Sequence, residues 1–257
     1  MPQVLAGSSV TSRLAAAGFL SAGEEARLLR LASGGDAVRL EALIERRLTG
    51  EPLAWITGSI RFCGADIVVR RGVYVPRPQT ELIAKAAARL LPHEGVAVDV
   101  CTGSGALAKI LALRRPLARI LATDIDPVAV ACAVENGVDA LCGDLYEPLP
   151  AGLRGAVDVV VAAAPDVPTA ELMFLQRDTF THETTTAYDG GADGAAVLRR
   201  VVAGAAPVLR RGGALVMELG GDEPSVIAEQ LREAGFGVPR IIIDSDGDVR
   251  GIVARRR

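Results

Sequence analysis

Two aspartates on either side of a short glycine turn stand out as residues that could hold a ligand. Asp99 lies in the apolar stretch VAVDV, and the turn Cys101–Gly105 follows it directly. Asp124 comes nineteen residues after Gly105, at the end of a second apolar stretch, RILATD. Glycines let a backbone approach a ligand, because they carry no Cβ and tolerate positive φ. The pattern indicates a binding turn with a carboxylate on each side.

A third aspartate extends this pattern toward a nucleoside. Asp144 follows a third apolar stretch, in CGDLYEPLP. A carboxylate after the second strand suits both hydroxyls of a ribose, and one after the third can bind an adenine amino group. Helix capping or turn formation explains any one such aspartate alone. Three of them around successive strands favour an adenosine-containing cofactor.

The segment GSGALA leaves a dinucleotide open as the cofactor. It fits the GxGxxA pattern of dinucleotide-binding proteins, with an acid about twenty residues further on. Asp99 argues against a dinucleotide, because its negative charge would meet a pyrophosphate, and Asp144 adds another acid. Acidic groups at this place suit the cationic methionine end of S-adenosylmethionine. We expect S-adenosylmethionine, with a NAD-dependent oxidoreductase as the alternative.

The residues beyond Gly95 alternate between strands and helices, an arrangement that would bring these side chains together. VAVDV, RILATD, DALCGD and AVDVVVAAAP are typical of strands, with helices such as GALAKILALRR between them. Near-continuous apolar strands predict an α/β fold with a parallel sheet covered on both faces. The end of the chain predicts two antiparallel strands that turn at residues 245–248. Ligands bind at the carboxyl ends of the strands in such a sheet.

A smaller helical unit and a hairpin precede this sheet. Apolar residues recur at helical spacing from Ser9 to Leu48, and the breaks SAGEE and SGGD divide them into three short helices. Strand-like runs around Gly64 predict a β-hairpin, and Thr80 is expected to cap a helix that runs to Leu91. The predicted boundaries are 1–58 for a helical domain, 59–78 for a hairpin linker and 79–257 for the ligand-binding domain.

Composition disfavours several classes of function. Half of the residues are hydrophobic and 4% are aromatic, with a formal net charge of -3. Few aromatics and no basic face leave little for nucleic acid to bind. The four cysteines show no metal-ligand spacing, so we expect reduced thiols and no metal. The sequence shows no targeting segment or membrane-spanning run, which predicts a cytoplasmic protein.

An ordered set of motifs resembles the HemK family of S-adenosylmethionine-dependent methyltransferases, which modify the glutamine side-chain amide of peptide-chain release factors. The motifs are EPLAWITG, VPRPQTE, VDVCTGSGALA, ATDIDPVAV, GDLYEPLP, YDGGADG and RRGGALVMELG. They cover most of the chain. The glycine turn begins with Cys101 instead of glycine, and in this feature it resembles a divergent branch of the family, of actinobacterial type. The resemblance implies a class I methyltransferase fold, Rossmann-like, with a seven-stranded mostly parallel sheet.

The resemblance also implies which residues contact the cofactor. The turn after the first core strand would hold the methionine end, Asp124 the ribose, and Asp144 with its neighbour the adenine. The helical domain and the hairpin would help to dock the methyl acceptor. The residues implied in cofactor binding are Asp99, Cys101, Thr102, Gly103, Ser104, Gly105, Asp124, Ile125, Asp144 and Leu145.

The catalytic turn departs from the family pattern. In the family the fourth strand is followed by Asn-Pro-Pro-Tyr or Asn-Ala-Pro-Tyr, and the aligned residues here are Ala163, Ala164, Pro165 and Asp166. Both the asparagine and the tyrosine are missing. The asparagine oxygen helps to orient the amide nitrogen for attack, so its loss argues against efficient glutamine methylation. Asp166 could act as a base, replace the missing hydrogen-bond acceptor, or lie as a solvated turn carboxylate.

Other residues near this turn have two interpretations each. His182 lies in a long segment after the turn and could act as a base or anchor the loop. Met173, Phe174 and Phe180 could line an acceptor pocket or form the apolar face of a short helix. Arg77 could approach the cofactor pocket or form a structural ion pair.

Together these features predict a methyltransferase that uses S-adenosylmethionine and has an altered acceptor turn. The acceptor would be a different protein side chain or a small molecule, and neither a membrane nor nucleic acid is expected as a partner. The main alternative is a protein that binds S-adenosylmethionine without turnover, because the cofactor turn is intact and the catalytic turn is degenerate.

Overall fold

Four helices form a small N-terminal group with its own core. The computed structural model describes residues 9–175, 182–221 and 223–257 of the chain. Asp36 starts the third helix by accepting hydrogen bonds from two backbone N–H groups, and Gly34 ends the second in the left-handed conformation. The three predicted helices and a short fourth one are α1 (Val10–Ala16), α2 (Ala22–Ser33), α3 (Ala37–Leu48) and α4 (Leu53–Thr57).

Arg47 is buried in this group although it carries a charge. It lies at a position where helical spacing predicts an apolar residue. Its guanidinium pairs with Glu25 at 2.7 Å, donates to the backbone carbonyl of Glu51 at 2.9 Å, and lies 4.0 Å from the ring centroid of Phe19. A buried charge is tolerated when it is paired and hydrogen-bonded in this way.

A β-hairpin connects the helices to the sheet. Strands β1 (Ser59–Phe62) and β2 (Ala65–Val68) pair antiparallel around Gly64, whose φ of 82° suits a glycine in the turn. Trp55 lies in the core, and its indole nitrogen donates to the carbonyl of Val73 at 2.9 Å. This bond ties α4 to the chain that leaves the hairpin. The domain boundaries assigned from the sequence stay predictions.

Seven strands form one mostly parallel sheet, which confirms the predicted fold class. The strands are β3 (Val96–Val100), β4 (Arg119–Asp124), β5 (Asp139–Cys142), β6 (Val157–Ala162), β7 (Leu209–Glu218), β8 (Arg240–Ile243) and β9 (Val249–Arg255). Their spatial order is β5, β4, β3, β6, β7, β9, β8. The first five in this order pair parallel, and β9 pairs antiparallel with both β7 and β8.

Helices cover both faces of this sheet. Along β6, Val159 and Val161 pack into one core, and Val160 and Ala162 into the other. Burial on both faces explains why the strands are almost continuously apolar. The helices are α5 (Glu81–Leu90), α6 (Ala106–Arg114), α7 (Pro127–Glu135), α8 (Ala196–Val208), α9 (Glu223–Val226) and α10 (Ala228–Glu233). In the described ranges, no helix has the length and apolar character needed to cross a membrane.

Thr80 is the N-cap residue of α5, as predicted, but its side chain forms no capping hydrogen bond to the helix. A 3-10 turn, Pro78–Thr80, leads directly into the helix and gives Thr80 helical φ and ψ values of -62° and -18°. An N-cap residue needs extended backbone to turn its side chain onto the first helical turn. The hydroxyl of Thr80 donates instead to Oε1 of Glu218, at the end of β7, at 3.1 Å.

The single asparagine of the chain connects the hairpin to the glycine turn. Nδ2 of Asn136 donates to the backbone carbonyls of Val68 at 2.8 Å and Ser104 at 2.9 Å. Its Oδ1 accepts from the N–H of Val68 at 2.9 Å and from the ammonium of Lys109 at 3.2 Å. Asn136 is buried. One amide therefore satisfies backbone groups of two segments that are distant in sequence.

We expect Asn136→Ala to lower the free energy of unfolding by about 2 to 4 kcal/mol, because it removes several hydrogen bonds and leaves buried backbone groups unpaired. Urea denaturation followed by circular dichroism measures this change. Lys109→Ala removes a peripheral partner of the same amide and is the control, with an expected cost below about 1 kcal/mol. Equal effects of the two substitutions would contradict this role of Asn136.

Candidate active site

The glycine turn follows β3 and opens α6, as predicted. Cys101, Gly103 and Gly105 have φ values of 56°, 56° and 77°, all in the left-handed region. A Cβ on Gly105 would lie 2.9 Å from the Cβ of Ala133, so glycine is needed for α6 to begin this close to α7. A Cβ on Gly103 would lie 3.9 Å from the Cβ of Tyr74, its nearest described neighbour. Gly103 therefore leaves room for a ligand beside the turn.

Asp99 is fully buried beneath the turn. Its Oδ2 accepts hydrogen bonds from the hydroxyl of Thr102 at 2.6 Å and from the N–H of Ala108 at 3.1 Å. Burial raises the pKa of Asp99 to about 7, against the effect of these two bonds. Its Oδ1 and the hydroxyl of Ser104 are buried without a hydrogen-bond partner in the described part of the chain. Asp99 thus holds the turn from below and is closed to direct contact with a ligand.

Asp124 lies at the end of β4, beside the turn. Its Oδ2 accepts from the N–H of Gly103 at 2.8 Å and its Oδ1 from the N–H of Asp126 at 3.0 Å. Burial raises the pKa of Asp124 although both bonds lower it. Each carboxylate oxygen has a further lone pair, so Asp124 can still accept from hydroxyl groups. Its neighbour Ile125 is 66% exposed, and its apolar side chain is open to a ligand or to solvent.

Asp144 lies after β5 and forms an ion pair with Arg200 of α8. The side chain of Asp144 is 31% exposed. Leu145 follows with a φ of 48°, an unfavourable conformation for a branched residue that signals a constrained turn. The sequence pattern did not reveal Arg200, because the pairing spans 56 residues between a loop and a helix.

The thiol of Cys101 is held neutral at the centre of these acids. Burial raises its pKa, and the nearby carboxylates of Asp124, Asp99 and Asp144 raise it further. A neutral buried thiol is a poor nucleophile. Cys101 therefore contributes shape to the turn and no nucleophilic chemistry.

The predicted acceptor turn follows β6, beside the end of β7. Ala162 pairs with Met217, so the next residues, Ala163 and Glu218, lie side by side at the ends of the two strands. Ala164 is buried and Ala163 partly buried. Pro165 and Asp166 continue the turn toward the surface, where both are partly buried.

Two glycines allow a later segment to pack against this turn. The N–H of Val167 donates to the carbonyl of Tyr188 at 2.9 Å, and the N–H of Gly190 donates to the carbonyl of Val167 at 2.9 Å. A Cβ on Gly190 would lie 2.9 Å from the Cα of Asp166, and one on Gly194 only 2.4 Å from its carbonyl oxygen. The glycines of the YDGGADG motif therefore permit close backbone packing behind the acceptor turn.

Three carboxylates lie around the acceptor turn. Burial raises the pKa of Asp166, and it raises the pKa of Glu218 and of Glu223 to about 7 each, with Asp166 adding to both shifts. Within the described ranges, no other residue donates a hydrogen bond to the carboxylate of Asp166. No sequence pattern singled out Glu218 or Glu223 as a site residue. Glu218 ends a parallel strand, as Asp124 does, and this position in the sequence could have indicated it as a site residue.

Arg77 forms the structural ion pair that the sequence left open. Its Nη2 lies 3.1 Å from Oε2 of Glu183 and donates to the hydroxyl of Tyr188 at 2.8 Å. The rings of Tyr74 and Tyr188 meet edge to face at 5.5 Å, with the Arg77 guanidinium 5.2 Å from the Tyr74 ring centroid. Burial raises the pKa of Tyr74 to about 12, so its phenol stays neutral. Sequence analysis did not identify either tyrosine.

His182 anchors its loop to the helical group. Its Nε2 lies 3.3 Å from the carbonyl oxygen of Thr49, and its ring meets that of Trp55 edge to face at 6.5 Å. These contacts favour the anchoring interpretation over a catalytic base.

Met173 and Phe174 are largely exposed, and the prediction for Phe180 lies outside the described residues. No cluster of metal-ligating side chains occurs in the part of the chain that the structure covers.

The raised pKa of Asp99 predicts that stability falls as the pH rises. An unfolded aspartate titrates near about pH 4, and the pKa of folded Asp99 is about 7. The folded state therefore favours the protonated acid, and this contribution is lost between about pH 4 and pH 7. We expect the melting temperature to decrease from about pH 5 to pH 7.5, and Asp99→Asn to flatten that decrease. Asp139→Asn, at an exposed position of β5, is the control, and an Asp99→Asn profile as steep as the control's would contradict the assignment.

Comparisons with known proteins agree with this geometry. The family model described as ribosomal protein L11 methyltransferase (PrmA) matches residues 78–164. The release factor glutamine methyltransferase of Moorella thermoacetica is 38% identical over 243 residues, covering 90% of this chain and 84% of the relative. That of Mycolicibacterium smegmatis is 38% identical over 231 residues, covering 82% of each chain.

A solved structure supports the fold independently. The E. cuniculi Mtq2–Trm112 complex, responsible for methylation of the eRF1 translation termination factor, matches with a TM-score of 0.53 and 22% identity, over 72% of this chain and 99% of that one. The similarity to these two curated relatives covers more than four fifths of this chain. The chain therefore belongs to the release factor glutamine methyltransferase family and is an S-adenosylmethionine-dependent methyltransferase.

Proposed function

We propose that this chain methylates an acceptor whose reacting atom has its own available lone pair, and that a glutamine amide is a poor acceptor. The cofactor would supply an activated methyl group on a sulfonium. The acceptor would attack the methyl carbon in line with the carbon–sulfur bond and displace a neutral thioether. The observation that carries the proposal is Ala163, at the position where the family has its catalytic asparagine. The acceptor would be another protein side chain or a small molecule.

The residues around the cofactor turn fit S-adenosylmethionine. Gly103 leaves space beside the turn, and Asp124 has lone pairs for the ribose hydroxyls next to it. Asp144 and Leu145 would lie at the adenine, with Ile125 against one face of the base. Asp99 would act from beneath, through Thr102, and not by direct contact. When ionised, Asp124 also brings negative charge close to a cationic cofactor.

A primary amide nitrogen is a weak nucleophile, because its lone pair is delocalised into the carbonyl. Two acceptors for its N–H bonds would localise that lone pair and aim it at the methyl carbon. Backbone carbonyls of Ala163 and Ala164 can supply one such acceptor, but an alanine side chain supplies none. Loss of one preorganised hydrogen-bonding group of this kind costs about 100- to 1000-fold in rate.

A cleft between the helical group and the hairpin supports an acceptor that approaches from that side. Its volume is about 810 Å³, and Leu28, Leu31 and Leu53 contribute apolar surface. Val75 and Arg77 line it as well, and Arg77 donates to the hydroxyl of Tyr188, whose backbone carbonyl accepts from the N–H of Val167 directly after the acceptor turn. By their names, the curated relatives modify release factors, which supports a protein acceptor over a small molecule.

Calorimetric titration with S-adenosylmethionine, its demethylated product and NAD tests the cofactor half of the proposal. We expect binding of the first two and none of NAD. Tight binding of NAD alone would favour the oxidoreductase alternative. Release of demethylated cofactor in the presence of any tested acceptor would dismiss the alternative of binding without turnover.

Asp124→Asn is expected to weaken S-adenosylmethionine binding by about 10- to 100-fold, because a charged acceptor for hydroxyl groups contributes about 1.5 to 3 kcal/mol. The same calorimetric titration measures the change. Asp139→Asn, an exposed aspartate on the neighbouring strand, is the matched control and should bind as the wild type does. An unchanged affinity for Asp124→Asn would remove Asp124 from the proposed cofactor site.

Ala163→Asn is expected to raise methyl transfer to the glutamine of a bacterial release factor by about 10- to 1000-fold, because it restores the missing hydrogen-bond acceptor. Incorporation of labelled methyl into the purified release factor measures the rate. Ala163→Leu has a side chain of similar size without an acceptor, and should give no increase. Efficient glutamine methylation by the wild-type chain would contradict the proposal.

A further inference from the structure

Glu218 occupies the place closest to the missing asparagine on the neighbouring strand. The parallel register pairs Ala162 with Met217, so Glu218 stands beside Ala163 at the carboxyl end of the sheet. Thr80 donates a hydrogen bond to its Oε1 at 3.1 Å. The described chain provides no donor to its Oε2. Oε2 of Glu218 is therefore available as a hydrogen-bond acceptor beside position 163, where the family's asparagine oxygen is absent.

Two further acidic side chains and one cation lie near Glu218. Asp166 lies on the acceptor turn, and Glu223 opens α9, where it accepts from the N–H of Gly220. The one cation that acts on Glu218 from β9 is Arg250, which is already engaged in ion pairs with Asp244 and Asp248. From the segment before α5, Tyr74 faces Glu218 as a neutral phenol.

This charge distribution discriminates among the acceptors that have an available lone pair. Thiolate and phenolate acceptors are negative in their reactive forms, so the nearby acidic groups would repel them whenever those groups are ionised. An amine arrives as a positively charged ammonium at neutral pH, because its pKa is about 10. Carboxylates attract that form and can also take its proton.

We propose, building on the methyltransferase function above, that the acceptor is an amine and that Glu218 binds its ammonium group and accepts its proton. The proton moves from nitrogen to a carboxylate oxygen of Glu218, which frees the nitrogen lone pair. The nitrogen then attacks the methyl carbon as the carbon–sulfur bond breaks and its electron pair stays on sulfur. The products are the acceptor as an N-methylated ammonium and a neutral thioether. The proton on Glu218 then passes to solvent.

Burial makes this proton transfer feasible. Desolvation raises the free energy of both a charged ammonium and a charged carboxylate. The neutral pair of amine and carboxylic acid therefore becomes accessible. Burial has raised the pKa of Glu218 to about 7, which brings it closer to the pKa of an amine. An amide nitrogen has no proton that a carboxylate can remove, so the same residue gives a glutamine no comparable help.

The test uses the intact protein saturated with the demethylated cofactor, and two four-carbon probes, n-butylammonium chloride and butanamide. A ligand that binds the folded state raises the melting temperature. We expect n-butylammonium to raise it by about 2 to 4 °C relative to sodium chloride at equal concentration, and butanamide to have no effect. The shift should decrease as the pH falls through about 7, because Glu218 becomes protonated while the ammonium keeps its charge.

Glu218→Gln keeps an oxygen that can accept from Thr80 and should abolish the shift, whereas Glu229→Gln, at an exposed position of α10, should preserve it. Retention of the full shift in Glu218→Gln, a shift with butanamide at least as large, or no shift with either probe would overturn the inference. If the wild type fails to bind the demethylated cofactor, the methyltransferase proposal itself fails. If it binds the cofactor but not n-butylammonium, only the amine inference fails.

Discussion

Strand β3 is hydrogen-bonded in parallel to β4 on one side and to β6 on the other, and the position of the active site depends on this double pairing. The chain leaves β3 through the glycine turn toward β4 and returns to its other side as β6. Strand order therefore reverses at β3, and the connections diverge to leave a crevice at the carboxyl ends. The cofactor turn and the acceptor turn meet there, because both follow strands that pair with one another.

The two sides of this crevice are stabilised differently. On the cofactor side, the carboxylates of Asp99 and Asp124 hold the turn by accepting hydrogen bonds from backbone N–H groups and from one hydroxyl, so its shape depends on few side chains. On the acceptor side, the turn is held by backbone packing against the glycines at 190 and 194. Because these contacts are made by backbone atoms, that support does not depend on which side chains occupy positions 163 and 166.

Sequence patterns predicted the elements well, because burial on both faces makes the parallel strands almost continuously apolar. They also placed Asp124 at the end of β4 and Asp144 shortly after β5, since the end of a strand is visible in the sequence, and cofactor binding by these two residues stays a prediction. They did not predict the pairing of Asp144 with Arg200, the bond from Thr80 to Glu218, or the pairing of buried Arg47 with Glu25. Each of these depends on how segments far apart in the chain are brought together, and no local periodicity records that. Glu218 became important only once the register placed it beside Ala163.

Asn136 has a chemical consequence beyond its hydrogen bonds. It precedes Gly137, and an asparagine before glycine readily cyclises and deamidates when its backbone is flexible, because glycine does not hinder ring closure. The bonds to Val68 and Ser104 hold the amide and suppress that reaction in the folded protein. Each excursion to the unfolded state exposes it, and conversion to aspartate would place a carboxylate against two carbonyl oxygens. Ageing of the unfolded chain would then be irreversible, so the lifetime of this protein at high temperature depends on how rarely it opens at Asn136.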